Sequence, residues 1–131
     1  MAYDLGGFYI TYKSNVEQDI GAGVGTAWSF KGPNGYKGRI VEMGAHITET
    51  FTATTTPGYI RAGTGADADA YAEMNMGVAA DTNTWTTNND TDAIIAADIA
   101  ANAQVEVTHV APTGGSPAGK CWPFFVVYWY K

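Results

Sequence analysis

Cys121-Trp122-Pro123-Phe124-Phe125-Val126-Val127-Tyr128-Trp129-Tyr130-Lys131 decides how this chain is read. Aromatic and β-branched side chains fill the run, and no helix start signal precedes it. Such residues fit a pleated surface and lose rotamer freedom in a helix, so the stretch is a β-strand. Pro123 sits near its start, where a missing amide donor is tolerated. Trp122, Phe125, Val127 and Trp129 are read as one face and Phe124, Val126, Tyr128 and Tyr130 as the other, and one of the two is expected in a core. Both are apolar. A two-layer sandwich has one core, so the second face calls for a further cover, either from the same chain or from a neighbouring subunit.

Working back from that strand, the chain punctuates into short extended segments. Gln104–Val110 alternates, with Val105, Val107 and His109 on one side, and Thr113–Gly119 reads as a hairpin loop into the final strand. From Arg39 to Thr48 the period is again two, with Val41, Met43, Ala45 and Ile47 on one face. Glu49–Thr56 continues in strand-compatible, threonine-rich sequence to a Pro57-Gly58 turn. Tyr59–Ala62 and Ala70–Met76 are further strands. Ala93–Asn102 is the one run compatible with a helical turn or short helix. Phe8–Tyr12 and Thr26–Phe30 are strand candidates around a glycine-rich link, Ile20–Thr26. Residues 1–36 are expected as an extended arm or edge strands, and residues 37–131 as the β-domain. Many short strands with Gly/Pro turns predict an all-β, jelly-roll-like antiparallel β-sandwich with an extended N-terminal arm.

Composition narrows the function. The chain has 131 residues, 46% of them apolar and only 15% charged, with 16 glycines and a formal net charge of −6. That length suits one domain with a real core. An acidic chain lacks the basic stripe that supplies affinity for nucleic acid or for an anionic membrane. The longest apolar run is too short to span a bilayer as a helix, and the opening Met1–Gly7 lacks the basic and long apolar regions of a signal peptide, so the protein is expected to act in the cytoplasm or in something assembled there.

Few residues invite chemistry. Cys121 is the sole cysteine. His46 and His109, the only bases that could activate it, lie in alternating strands and read as surface or rim residues. Two histidines and one cysteine make no zinc motif. Asp67/Asp69, Asp81–Asn83 and Asn88–Asp92 carry oxygen ligands of the kind calcium takes, but none fits an EF-hand loop and each is ordinary loop composition. Gly21-Ala-Gly-Val-Gly-Thr26 lacks the lysine and following helix of a phosphate loop. Asn89-Asp-Thr91 is a glycosylation sequon without a secretory context. No catalytic residue, metal site or cofactor is expected. The aromatics are more telling: four tryptophans and eight tyrosines supply contact area for subunit interfaces or sugars.

With these residues in view, the chain resembles the small decoration (cement) proteins of tailed-bacteriophage capsids. The likeness rests on the glycine-rich arm and on Gly38–Thr52 as a long threonine-rich strand pair. It rests too on Asp90–Asp98 before a strand, and on a closing hairpin of Gln104–His109 with Phe124–Tyr130. It implies a structural protein on the outer surface of the virion, bridging major capsid protein subunits as a homo-oligomer, with a trimer expected. Expected contact residues are Tyr3, Phe8, Tyr9, Tyr12 and Trp28 of the arm, and Trp129 on the exposed face of the last strand. The alternative is a carbohydrate- or receptor-binding sandwich of a head fibre or tail, with Trp85 as its stacking platform. An enzyme on a cupin-like scaffold ranks last, because its clustered ligands are missing.

Overall fold

The computed structural model describes residues 7–23, 25–95 and 98–131. Among them there is no helix. The described residues form ten strands: β1 (Phe8–Lys13), β2 (Gln18–Asp19), β3 (Trp28–Lys31), β4 (Lys37–Thr52), β5 (Tyr59–Gly63), β6 (Ala72–Asn75), β7 (Thr84–Thr86), β8 (Asp98–Ile99), β9 (Gln104–Val110) and β10 (Ala118–Tyr130). They make two antiparallel sheets. One runs β1-β10-β4-β7, with β2 on β10 and β8 on β4; the other runs β3-β9-β5-β6. Their inner faces meet as a sandwich, and the all-β expectation holds.

The spine is the pairing of β4 with β10, from Lys37↔Tyr130 to Thr52↔Ala118. Inward residues of β10 are Cys121, Pro123, Phe125, Val127 and Trp129; β4 contributes Ile40, Met43, Ala45, Ile47 and Phe51. The facing sheet supplies Phe30, Ile60, Ala62, Met74, Val105 and Val107 to the same core. Pro123 lies in a central strand without loss. It faces Ser14, just beyond the end of β1, and its carbonyl still accepts the Ser14 amide at 2.9 Å.

Trp129 is the largest wholly buried side chain, only 1% exposed. Its indole fits because two glycines make room: a Cβ on Gly32 or on Gly38 would stand 2.4 Å from the ring. Trp129 was expected on the outward face of the last strand. The period of two, counted back from Trp129, instead places it with Val127 and Phe125, and turns Trp122 outward with Phe124, Val126, Tyr128 and Tyr130.

Other expectations are revised. Gly38–Thr52 lies within the single 16-residue strand β4 and is not a pair. Val41 faces solvent, 42% exposed, because a register shift opposite Val126/Val127 inserts a bulge. Gln104–His109 and Phe124–Tyr130 do not form a hairpin: β9 and β10 belong to different sheets. Ala93–Asn102 holds no helix among its described residues. Ile94 bridges Ala72, Ile99 is buried in the pairing of β8 with β4, and Asn102 takes a positive φ of 64° in a turn. The described part of residues 1–36 joins both sheets, β1 and β3 each forming an edge, with Ile20 and Phe30 in the common core.

The glycine cradle makes a testable demand. Gly38→Ala is expected to lower stability by about 1–3 kcal/mol through overpacking, and Trp129→Ala by about 3–5 kcal/mol through the lost contacts and cavity. Urea unfolding followed by far-ultraviolet circular dichroism measures both.

Candidate interaction surface

Because β10 is central and its neighbours are laid flat against it, its second face becomes the middle of an outer sheet surface. Trp122, Phe124, Val126, Tyr128 and Tyr130 form a ridge along it. Phe124 is buried beneath its neighbours, and the other four are half-buried. Tyr128 packs between Tyr9 and Tyr130, with ring centroids at 5.0 and 5.9 Å. His46 stacks on Phe124 at 5.1 Å. The Lys13 ammonium lies 5.9 Å from the Trp122 ring. Gly44 leaves room for Phe124, whose ring would be 2.7 Å from a Cβ there. Around the ridge stand exposed Tyr9, Thr11 and Lys13 of β1 and Lys37, Arg39, Val41, Glu42 and His46 of β4. The face is therefore aromatic along its centre and polar at its rim, the composition of a protein-binding patch.

The two sides of the sandwich close differently. At β7, Trp85 turns inward and donates its indole N–H to the Asn75 carbonyl at 2.9 Å, tying one sheet to the edge of the other. Trp85 is thus a half-buried strand residue and not a free platform in a polar loop. At the opposite side, Tyr12 of β1 stacks on Phe30 of β3 at 4.3 Å and 11°. Trp28 leans on Phe30 and Phe125 at 6.1 and 5.9 Å. Between these edges lies an open cleft of about 270 Å³ lined by Tyr12, Lys13, Asn15, Trp28, Ser29 and Phe30. The Trp28 indole N–H is buried with no hydrogen-bond partner among the described residues.

The expected contact residues therefore scatter into four environments. Tyr3 lies outside the described residues. Phe8 and Tyr9 are exposed on the edge strand, 37% and 66%. Tyr12 and Trp28 are half-buried and meet at the cleft. Trp129 is in the core. The outward members of the last strand, Trp122 among them, hold the positions assigned to Trp129. Strict alternation counted from Tyr130 would have found them.

The residues considered for chemistry do not converge. Cys121 points into the core, wholly buried, while His46 projects from the opposite face of the same sheet. Burial, with a smaller contribution from the Glu17 charge, pushes the Cys121 thiol up to about 12. Thiolate is the reactive form, so this thiol is inert in the fold. His109 is not a rim residue. It follows Val105 and Val107 on the inward side of β9, covered by Gly25, where a Cβ would lie 3.1 Å from its own Cβ. Neither ring nitrogen has a partner among the described residues, and burial lowers its pKa to about 4. Among the described residues, no three of His, Cys, Asp and Glu gather as a metal site. The glycine link ahead of β3 is packed at its start: Gly21 donates to the Gly119 carbonyl at 2.9 Å, and a Cβ there would meet Ala118 backbone at 2.3 Å.

Comparison with protein families, with curated proteins and with solved structures returned no match.

Two outcomes follow from the buried groups. An ordinary imidazole titrates near 6.5 and His109 near 4, so below pH 6.5 the unfolded chain takes up its proton first. The His109 contribution is neutral above that pH, erodes stability between 6.5 and 4, and levels off below. The full loss is about 3 kcal/mol. Chemical denaturation across this range measures it as the slope that disappears in His109→Gln; equal slopes in both proteins would contradict it. For Cys121, a maleimide is expected to leave the native protein unlabelled at pH 8 and to react once it is denatured, read by intact mass.

Proposed function

We propose that this protein is a structural component of a tailed-phage virion, decorating the outer surface of the icosahedral shell and bridging major capsid protein subunits as a homo-oligomer. The observation that carries the reading is the outward ridge of β10. A central strand spends Trp122, Phe124, Val126, Tyr128 and Tyr130 on a face that its own side chains cover only in part. A sheet surface of this kind gains free energy when another polypeptide excludes the remaining water. Bridging requires nothing more: a ligand that binds only the assembled shell stabilises it by its binding free energy. The proposed partners are the major capsid protein and further copies of this chain, with a trimer as the expected oligomer.

Truncation is a poor test of this reading, since removing residues 1–36 deletes an edge from each sheet. Mass spectrometry of purified particles of the phage encoding the chain is more direct. The protein is expected at a fixed copy ratio to the major capsid protein. Val126→Glu, at the middle of the ridge, is expected to cut shell occupancy about tenfold or more while the isolated protein keeps its unfolding midpoint. Absence from the particles, or full occupancy by the variant, contradicts the reading.

A second reading, a carbohydrate-binding module, is favoured by the cleft between β1 and β3. Tyr12 and Trp28 there offer ring faces, beside Lys13, Asn15, Ser29 and an unpartnered indole N–H. A glycan panel titrated against tryptophan fluorescence, with Trp28→Phe as control, tests it. Silence across the panel removes it.

A further inference from the structure

We propose that the free edge of β1 pairs with β1 of a second copy of this chain, in antiparallel register about a two-fold axis at Thr11, joining two sandwiches into one continuous sheet. The proposal does not depend on the capsid reading. It starts from backbone groups. β1 pairs with β10 through six consecutive residues without a bulge. Ser14, next along the chain, donates its amide to Pro123. Alternation then directs the N–H and C=O groups of Tyr12, Ile10 and Phe8 toward β10, and leaves those of Tyr9, Thr11 and Lys13 pointing away from the sheet. Among the described residues nothing pairs with them.

Among the described residues the other edges are short or capped, and this one is neither. β6 is capped by the following chain: Glu73 donates to the Ala93 carbonyl, and Ile95 donates to that of Tyr71. β7 has three residues and β3 four. β1 is longer, carries neither proline nor glycine, and has a single charge, Lys13, at its end. Proteins blunt an exposed edge with bulges, prolines or inward charges, and β1 has none of these.

Side chains choose the occupant and the register. In an antiparallel pair, residues directly opposite share a face, so an even sum of residue numbers is required. Centring on Thr11 meets that condition. It sets Thr11 opposite Thr11 and, on the same outer face, Tyr9 opposite Lys13 of the second copy, twice. That contact joins the most exposed aromatic of the edge, Tyr9 at 66% exposure, to a lysine with no acidic partner among the described residues. Inside, Ile10 meets Tyr12 of the second copy above the cleft. Centring on Ile10 instead would leave Lys13 opposite Gly7. With three hydrogen-bonded pairs, the interface gains about six backbone hydrogen bonds, and like charges never face each other. A two-fold pair of this kind is isologous and closed. For the isolated chain it stands as an alternative to the trimer proposed above, and the two predict different masses.

Sedimentation of the full chain over a dilution series tests the pairing. The wild type is expected at twice the chain mass. Thr11→Pro is expected at the mass of one chain with its melting midpoint retained, since the amide it removes serves no bond within the chain. Under mild oxidant, Thr11→Cys is expected to cross-link into a covalent pair, because opposed Cα atoms in such a pair lie about 5.5 Å apart. Lys13→Cys, which faces Tyr9, is expected to cross-link at least tenfold more slowly. Native Cys121 is too buried to compete. A wild-type monomer at every concentration, a trimer mass, a Thr11→Pro dimer, or equal cross-linking by the two cysteine variants overturns the proposal. Should Thr11→Pro fail to fold, the cysteine pair decides alone. Presence in virions without dimerisation in solution defeats this inference and leaves the capsid reading standing; the reverse result does the opposite.

Discussion

Everything in this molecule leans on the antiparallel pairing of β4 with β10. These are its two longest strands, 16 and 13 residues, and they come from distant parts of the chain. Their inward residues, Ile40, Met43 and Phe51 against Phe125, Val127 and Trp129, form one wall of the core. Their pairing also places β10 at the centre of a sheet. A central strand has no edge to hide, so its chemistry appears on its two faces. One face is shut against β3, β9 and β5. The other is turned outward with its aromatic side chains intact, and that constraint generates the surface on which the functional reading stands.

The same constraint explains the small residues around it. Gly32 and Gly38 accommodate the Trp129 indole, and Gly44 lets the Phe124 ring lie flat beneath His46. Inner and outer faces are thus fitted to large rings by missing side chains on neighbouring strands. Charges contribute little to this fitting. The Arg39–Asp98 pair joins β4 to β8 at 3.1 Å, but both partners are more than half exposed, and such pairs add little stability.

Local pattern was legible in the sequence wherever it decides structure by itself. The alternation in β4, β9 and β10 and the turn residues between strands located nearly every element, and with them the sandwich. What depends on distant partners was not legible. The bulge that turns Val41 outward is set by β10, more than eighty positions away. The apparent hairpin of β9 and β10 failed because the Thr113–Gly119 link crosses between sheets, which turn chemistry does not reveal. The alanine-rich run at 93–102 has helix-compatible composition, yet Ile94 and Ile99 are held by bridges to β6 and β4. Trp129 was expected on the exposed face of β10, but parity along the strand buries it and makes Trp122 the outward tryptophan. His109 looked like a rim residue because the glycine link that covers it is remote in sequence.

An outward aromatic ridge and an unguarded edge strand are independent features, and they impose different geometry on any assembly: the ridge meets a partner face-on, the edge in the plane of the sheet. The claim at the centre is that another polypeptide covers the ridge in the working assembly. Hydroxyl-radical footprinting of intact particles against the isolated protein measures this directly. The account predicts that Trp122, Tyr128 and Tyr130 lose most of their reactivity in the particle, while Tyr59, on the other sheet, keeps its own. Equal oxidation of the three ridge residues in both samples would contradict it.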